Sequence, residues 1–528
     1  MRTKSALQSL GWPAALVSVL LFAGSVASQE IPRFDIRAFR VEGNKLLPQQ
    51  TVEAILAPYI GTQKDFGDVQ GAVEALEQVY KDRGYNTVSV LLPEQALEGG
   101  GEVLLQVIEG RIRTVKVEGH EFFDHANIRA SLPALKEGEV PIMDDLSASL
   151  RVANEHPMKK LSVRLVPGDK EDDLDAIVAV TDEKPWRVGA TLDNTGTTQT
   201  GPHRLGLTWQ HGNLFDRDHQ LSLQYMTSPE KLGDVKIYAA SYRIPLYALG
   251  DSIDLFTTYS DVNVGTILAG TLPLAVTGKG ATFGGRYNWN LKRHEDYEHQ
   301  MVFGLDEKAF KNSVLASGLQ LGNDVTLRPL SVAYNGRWML PGSETGFFVS
   351  LARNLPGGNN ADQDAISRAR ANAPADFQVL RGGVNLSRAF AADWQWRVNL
   401  SGQWANSPLV PGEQFGVGGN ASVRGFEERE LSNDKGFQGN LEVYTPELCM
   451  SVGANCRVVG FYDFGALSRN QPLPGESASE HVASAGFGVR YVLGKRMTFQ
   501  ADYAQVVDQG ANLNRGAWKL HARIGFSF

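Results

Sequence analysis

Two charged residues stand where a charge needs a partner. Arg424 lies in Gly416-Val-Gly-Gly-Asn-Ala-Ser-Val-Arg-Gly-Phe-Glu-Glu428, a glycine-rich stretch with little strand alternation. Asp463 lies in Val459-Gly-Phe-Tyr-Asp-Phe-Gly465, where Val458, Gly460, Tyr462 and Phe464 share one face and leave Asp463 on the other. An ionised carboxylate on the inner face of a sheet needs water or a cation, and arginine can bind it through two parallel hydrogen bonds. Gly418, Gly419 and Gly425 would let the loop backbone turn tightly against a wall. The residues alone leave two readings open: a loop–wall ion pair, or a solvated loop arginine with a water-facing carboxylate.

Other chemistry is sparse. The chain has two cysteines, Cys449 and Cys456, which in an oxidising compartment can close a small disulfide loop or stay as free thiols. Cys-x6-Cys lacks the partners of a metal site. His294-Glu-Asp-Tyr-Glu-His299 offers metal-ligating types but reads as a short turn without helical His-x3-His spacing. Neither a Gly-x-Ser-x-Gly elbow nor a Gly-x4-Gly-Lys-Ser/Thr loop occurs. No catalytic residue, metal ligand or cofactor is therefore expected, and the chain does not read as an enzyme. The formal net charge of −8 offers no basic field for nucleic acid.

The elements that must position these residues fall into three parts. Residues 1–28 carry Arg2 and Lys4, an apolar stretch from Ala14 to Ala23, and small residues Ser25, Ala27 and Ser28, the pattern of a secretory signal peptide. Residues 33–184 contain a repeat: Phe39-Arg-Val-Glu-Gly-Asn44 and Val115-Lys-Val-Glu-Gly-His120 each end a strand in Val-Glu-Gly. A helical stripe of Val69, Val73, Leu76, Val79 and Tyr80 follows the first copy, and Gly84 stops that helix. Strands are expected at 87–92 and 102–108. The second copy repeats the order, with a strand at 112–118, helices at 124–131 and 143–154, and strands at 160–166 and 174–181. Each unit reads β-α-α-β-β, a small α+β domain, at 33–110 and 111–184.

From Trp186 to Phe528 the period changes to two. Trp518, Leu520, Ala522, Ile524, Phe526 and Phe528 oppose Lys519, His521, Arg523 and Ser527. Met497, Phe499, Ala501 and Tyr503 oppose Thr498, Gln500 and Asp502. Segments of about 10 residues, the length of a tilted bilayer-crossing strand, alternate between short turns such as 213–218 and long polar loops at 354–376, 405–436 and 466–481. That describes a transmembrane antiparallel β-barrel, since backbone groups in lipid must all be paired. Sixteen segments are counted, and Arg424 then sits in the loop 405–436 between the eleventh and twelfth.

The motifs resemble a known family. Ser422-Val-Arg-Gly-Phe426 with its preceding glycines, and Phe461-Tyr-Asp-Phe-Gly465, resemble the paired signatures of the outer-membrane assembly and two-partner secretion superfamily. Tyr80-x3-Gly84-Tyr85, Leu92-Pro-Glu-Gln95 and Ile108-Glu-Gly110 resemble the first polypeptide-transport-associated (POTRA) domain of two-partner transporters, and Leu192-Asp-Asn-Thr-Gly196 their first barrel strand. The resemblance, to the haemolysin/haemagglutinin secretion-activation branch, implies that Val423, Arg424, Gly425 and Phe426 enter the barrel and latch onto Asp463 and Gly465. It implies an outer-membrane exporter of one large unfolded partner, an adhesin, haemolysin or similar exoprotein with an N-terminal secretion domain. The POTRA domains would sit in the periplasm and recognise that partner, and the barrel, a monomer, would be bathed in outer-membrane lipid. An insertase for other membrane proteins is the alternative within the superfamily. Many members also begin with a helix that plugs the pore; here only Gln29 to Arg33 separate the expected cleavage site from the first strand, so the loop holding Arg424 becomes the main candidate seal.

Overall fold

The computed structural model describes residues 32–95, 101–197, 200–261, 263–269, 272–277, 279–311, 315–316, 319–320, 324–449, 453–509 and 514–528. The expected signal peptide lies outside the described residues.

The chain divides into two compact units, one of residues up to Tyr80 together with Val88–Ile108, the other of Lys81–Thr87 with Glu109–Phe528. In the first unit, strands Ala38–Glu42, Glu102–Glu109 and Val88–Leu91 form a sheet in that order, the first two parallel. Helix Phe66–Asp82 buries Val69, Ala72, Leu76 and Tyr80, residues three or four apart on one stripe. In strand Glu102–Glu109 every second residue is buried, with Val103, Leu105 and Val107 in the core. A short antiparallel pair, Phe34–Ile36 with Gly61–Lys64, adds to the β-α-α-β-β order expected from the sequence. Its strands are too short to show a period.

Leu76 is fully buried in this core. Leu76→Ala is expected to destabilise the unit by about 2–5 kcal/mol, the range for emptying a buried leucine site. Limited proteolysis should then cut within 34–108 at lower temperature while the barrel stays resistant.

The second unit begins with the same order. Strands Arg111–Glu118, Asp173–Asp182 and Lys159–Pro167 form its sheet, and helices His125–Ala130 and Met143–Asn154 cover it. Ile112, Ile128, Leu146, Leu161 and Val178 share the core. The repeated Val-Glu-Gly now has a cause. Gly43 and Gly119 both have φ near +80° (84° and 82°), and a Cβ on either would strike the neighbouring strand, at Val107 O (2.1 Å) and Val180 O (2.7 Å). Only glycine fits a strand end that turns so close to its parallel partner.

The barrel closes with sixteen antiparallel strands, from Trp186–Asp193 to Trp518–Ser527. All sixteen expected segments correspond to a wall strand; the eighth is two pieces, Val325–Leu327 and Pro329–Leu340, that pair with one neighbour. Alternation sets the two faces. Leu207, Leu223, Tyr238, Phe283, Tyr462 and Trp518 are exposed on the outside, where lipid covers them, while Asp306, Asp463, Asp502 and His521 are buried facing in. The first and last strands pair over five residues, Arg523↔Asp193 to Ser527↔Gly189. Asn194 then extends that ladder with its side chain, donating to Leu520 O at 2.6 Å and accepting from the Ala522 amide at 2.8 Å.

Cys449, past the end of strand Lys435–Tyr444, is joined sulfur to sulfur with Cys456, near the start of strand Ala454–Ser468. Glu447 accepts the amides of both cysteines, at 2.7 and 2.8 Å, and those bonds hold its carboxyl below the usual range. With its sulfurs joined, this cluster does not offer a thiolate site to a metal. Peptide mapping without reductant is expected to return the segments around Cys449 and Cys456 as one linked species, and reductant should separate them.

Candidate functional site

Between strands Gln395–Trp404 and Lys435–Tyr444 the chain does not leave the barrel as a solvated loop. It forms a narrow hairpin, Phe415–Val417 paired with Leu431–Asn433, that carries residues 418–430 at its tip. Gly418 and Gly419 take φ of 112° and 105°, the left-handed side that the tight entry to the tip requires. Within the tip the Gly419 amide bonds Val423 O at 3.1 Å and the Arg429 amide bonds Gly418 O at 3.2 Å.

The tip is seated on the wall by apolar and ionic contacts together. Val417, Val423, Phe426 and Leu431 of the loop form one core with Leu467, Val482 and Val506 of the strands. Val423 and Phe426 are almost without exposure, so the seat is dry. Arg424 lies within it, 3% exposed, beside Asp463 at 0%.

The pair is bidentate. Arg424 Nε donates to Asp463 Oδ2 at 2.7 Å, Nη2 donates to Oδ1 at 2.7 Å, and the Arg424 amide adds a third bond to Oδ2 at 3.1 Å. Asn440 Nδ2 donates to Oδ1 at 2.9 Å, so both carboxylate oxygens are filled. On the other side Arg424 Nη1 meets Glu442 Oε1 at 2.9 Å and stands 3.8 Å from Asp502 Oδ1. Asp502 is itself gripped by Arg490 at 2.7 and 3.0 Å. The guanidinium carbon lies 3.5 Å from the Phe461 ring centre, a cation–π contact. The next residue, Gly425, donates its amide to His521 Nε2 at 2.9 Å. Gly465 brings the hairpin close, since a Cβ there would fall 2.6 Å from Val417 Cγ1.

A second anchor holds the foot of the loop. Glu413 is buried and bridges two wall cations, Lys308 at 2.7 Å and Arg381 at 2.8 Å. Asp434, at the other foot, accepts the amides of Leu409 (2.8 Å) and Asn470 (2.7 Å).

Arg424, Asp463, Val423, Gly425, Phe426 and Gly465 thus meet in one place. Glu442, Asp502, His521 and Asn440 belong to the same network, Glu413 holds the separate anchor at the foot, and the motifs contain none of them. The signal that could have found Asp502 and His521 was present, since both alternate with lipid-facing residues on the last two strands. Nothing local marks Glu413. The arrangement holds a hairpin of the chain against the inner wall of the barrel through buried, specific ion pairs.

Comparison with known proteins follows the same lines. Residues 175–491 match the family described as haemolysin secretion/activation protein ShlB/FhaC/HecB, and residues 34–110 match the POTRA domain, ShlB-type. The outer membrane transporter CdiB of Dickeya dadantii (strain 3937) is 24% identical over 505 residues, covering 94% of this chain and 87% of that protein. The heme/hemopexin transporter protein HuxB of Haemophilus influenzae is 22% identical, over 78% of this chain and 72% of that one. In fold, CdiB from Escherichia coli matches with a TM-score of 0.77 at 21% identity, covering 96% of this chain and 93% of that chain. BamA from Haemophilus ducreyi lacking POTRA domains 1-3 matches at 0.51 and 14%, covering 94% of this chain and 100% of that chain.

Proposed function

The chain belongs to the haemolysin secretion/activation protein family, ShlB/FhaC/HecB, and from that membership we propose that loop 405–436 is its pore gate, latched by Arg424 on Asp463. The protein is an outer-membrane transporter of two-partner secretion, with POTRA domains on the periplasmic side and a partner exoprotein as cargo. Its likeness to BamA is one of fold alone, and the relatives named as transporters favour export over membrane-protein insertion.

The observation that carries the gate is the burial of Arg424 with Asp463 inside the lumen. In that state the hairpin occupies the path of a threading chain. Val423 and Phe426 supply the dry seat, Gly425 the close backbone approach to His521, and Gly465 the space for Val417. The POTRA domains, 33–110 and 111–184, recognise the unfolded partner in the periplasm, and exposed strand edges in small sheets suit that task. The transporter acts as a monomer in outer-membrane lipid and needs no nucleic acid. Folding of the emerged partner, worth several kcal/mol per domain, biases the motion outward.

The test is a comparison of the secreted and surface proteins, and of the outer-membrane profile, with and without this gene. Loss of one large exoprotein with other barrels unchanged is expected. Broad loss of other barrels would instead make the protein an insertase.

A further inference from the structure

Where the second α+β domain meets the barrel, a lysine is buried completely. Lys159 opens strand Lys159–Pro167, and its side chain is 0% exposed. Its ammonium donates to Asp218 Oδ2 at 2.5 Å and to Asn127 Oδ1 at 2.8 Å, and it lies 5.0 Å from the Phe123 ring centre. Asp218 belongs to the barrel, in the turn between strands Arg204–Leu214 and His219–Thr227. The same Oδ2 accepts the Tyr247 hydroxyl at 2.6 Å, from the next turn on that rim. Asn127 also donates to Asn213 Oδ1 at 3.1 Å and Asp216 O at 3.0 Å. His156 Nε2 donates to Gly212 O at 2.7 Å while its Nδ1 accepts the Met158 amide at 3.2 Å.

These groups sit against the domain's own core, which includes Phe123 and Met158 and has Tyr247 packed on it. Burial pushes Lys159 below its ordinary range, with Asp218 pulling the other way. Burial also takes His156 down to about 4, so it is a neutral hydrogen-bonding group here. A charge held in such a place tolerates no partial displacement. A slide of the domain over the rim would strand ammonium and carboxylate unpaired in apolar surroundings. The exposed Lys292–Asp144 pair at the same rim carries no such penalty. The interface is therefore either docked or fully parted and wetted.

We propose that Lys159, Asp218 and Tyr247 are positioning residues for export, holding the second POTRA domain docked on the barrel rim throughout transport. An unfolded partner then reaches the lumen along one fixed line. The inference rests on the export reading above, and its first readout does not need it.

The pair variant Lys159→Met with Asp218→Asn removes both charges and keeps a residue that tolerates the left-handed turn, where Asp218 has φ of 58°. Spin labels on Lys170→Cys and Arg293→Cys, in the full chain in liposomes, report the distance from domain to rim. The pair variant should broaden that distance while barrel abundance in cells stays normal. Export of the exoprotein that disappears on gene deletion should fall, because the bound chain is no longer held on one line to the lumen. The opposite manipulation is a covalent lock. The exposed side chains of Asp144 and Lys292 meet at 2.7 Å across the rim, so Asp144→Cys with Lys292→Cys can be bridged by a short bifunctional thiol reagent that reductant cleaves. The locked transporter should export as before. An unchanged distance in the pair variant overturns the proposal, as does unchanged export, and so does export that stops when the lock is closed and returns with reductant. Loss of no exoprotein on gene deletion would sink the export reading instead, whereas the distances test docking by themselves.

Discussion

Arg424→Ala leaves a barrel that inserts at normal abundance but exports poorly and leaks. The substitution strands Asp463, which has no exposure and whose oxygens lose both side-chain bonds from the guanidinium. The backbone amide of residue 424 survives the change, yet it was placed by the side chain beside it. Glu442 loses its cation at the same time. Breaking a buried pair by removing one partner costs about 3–5 kcal/mol. A seat weakened by about 3 kcal/mol changes the ratio of seated to unseated loop by about a hundredfold. The wall strands keep all their ladder bonds, so abundance should not fall. Two measurements check this: export of the partner, and uptake of a large hydrophilic antibiotic that intact outer membrane excludes. Arg424→Lys should lie between, because lysine keeps the charge but cannot fill both carboxylate oxygens in one plane. Full export by Arg424→Ala at normal abundance would remove the latch from the mechanism.

Gly465→Leu should unseat the same hairpin without touching the ion pair. A single Cβ at this position already falls 2.6 Å from Val417 Cγ1 and 3.4 Å from its Cγ2. Val417 cannot swing aside freely, since a β-branched side chain is held to one rotamer and this one lies at 0% exposure in the loop core. Gly465→Ala should cost about 1–3 kcal/mol, the usual range for overpacking, and leave partial export. Leucine adds three more carbons to the same contact, so the hairpin must leave the wall. Protease added outside the cell should then cut within 405–436, and single-channel recordings should show an open pore where the parent is mostly closed. A closed pore with an uncut loop in Gly465→Leu would show that the hairpin does not rest on this strand. Comparison of the two substitutions separates charge from fit.

The sequence revealed the wall better than what fills it. Residues such as Met497, Phe499, Ala501 and Tyr503 face lipid in strict alternation, a local rule that needs no knowledge of neighbours. The helix stripe of Val69, Leu76 and Tyr80 is local in the same sense. The inner hairpin of the loop, helix Gln363–Ala369 and the outer hairpin Asn263–Ala269 with Leu272–Thr277 were not visible, being short and held by contacts distant in sequence. In the site, Asp463 could be assigned to the lumen from its own strand alone. That Glu442 and Asp502 converge on the same arginine, and His521 on the amide of the next residue, depends on barrel closure, which sets four separate strands around one point. Glu413 is the clearest omission: its partners Lys308 and Arg381 lie on strands far from it in sequence, and their meeting is a product of the closed ring.

The short joint between first and last strands has a mechanical meaning. The last strand shares nine residue pairs with the strand before it, Met497↔Phe526 to Gln505↔Trp518, but five with the first strand. A ring under load yields at its shortest ladder, and here the side chain of Asn194 adds two bonds beside its own amide, which donates to Ala522 O at 3.3 Å. Opening free energies follow the number of bonds broken together. Amides of Leu192 and Phe526 should therefore exchange with deuterated solvent before those in the middle of Ala454–Ser468. The girth of this channel is fixed by the clasp at Asn194 more than by its strongest wall.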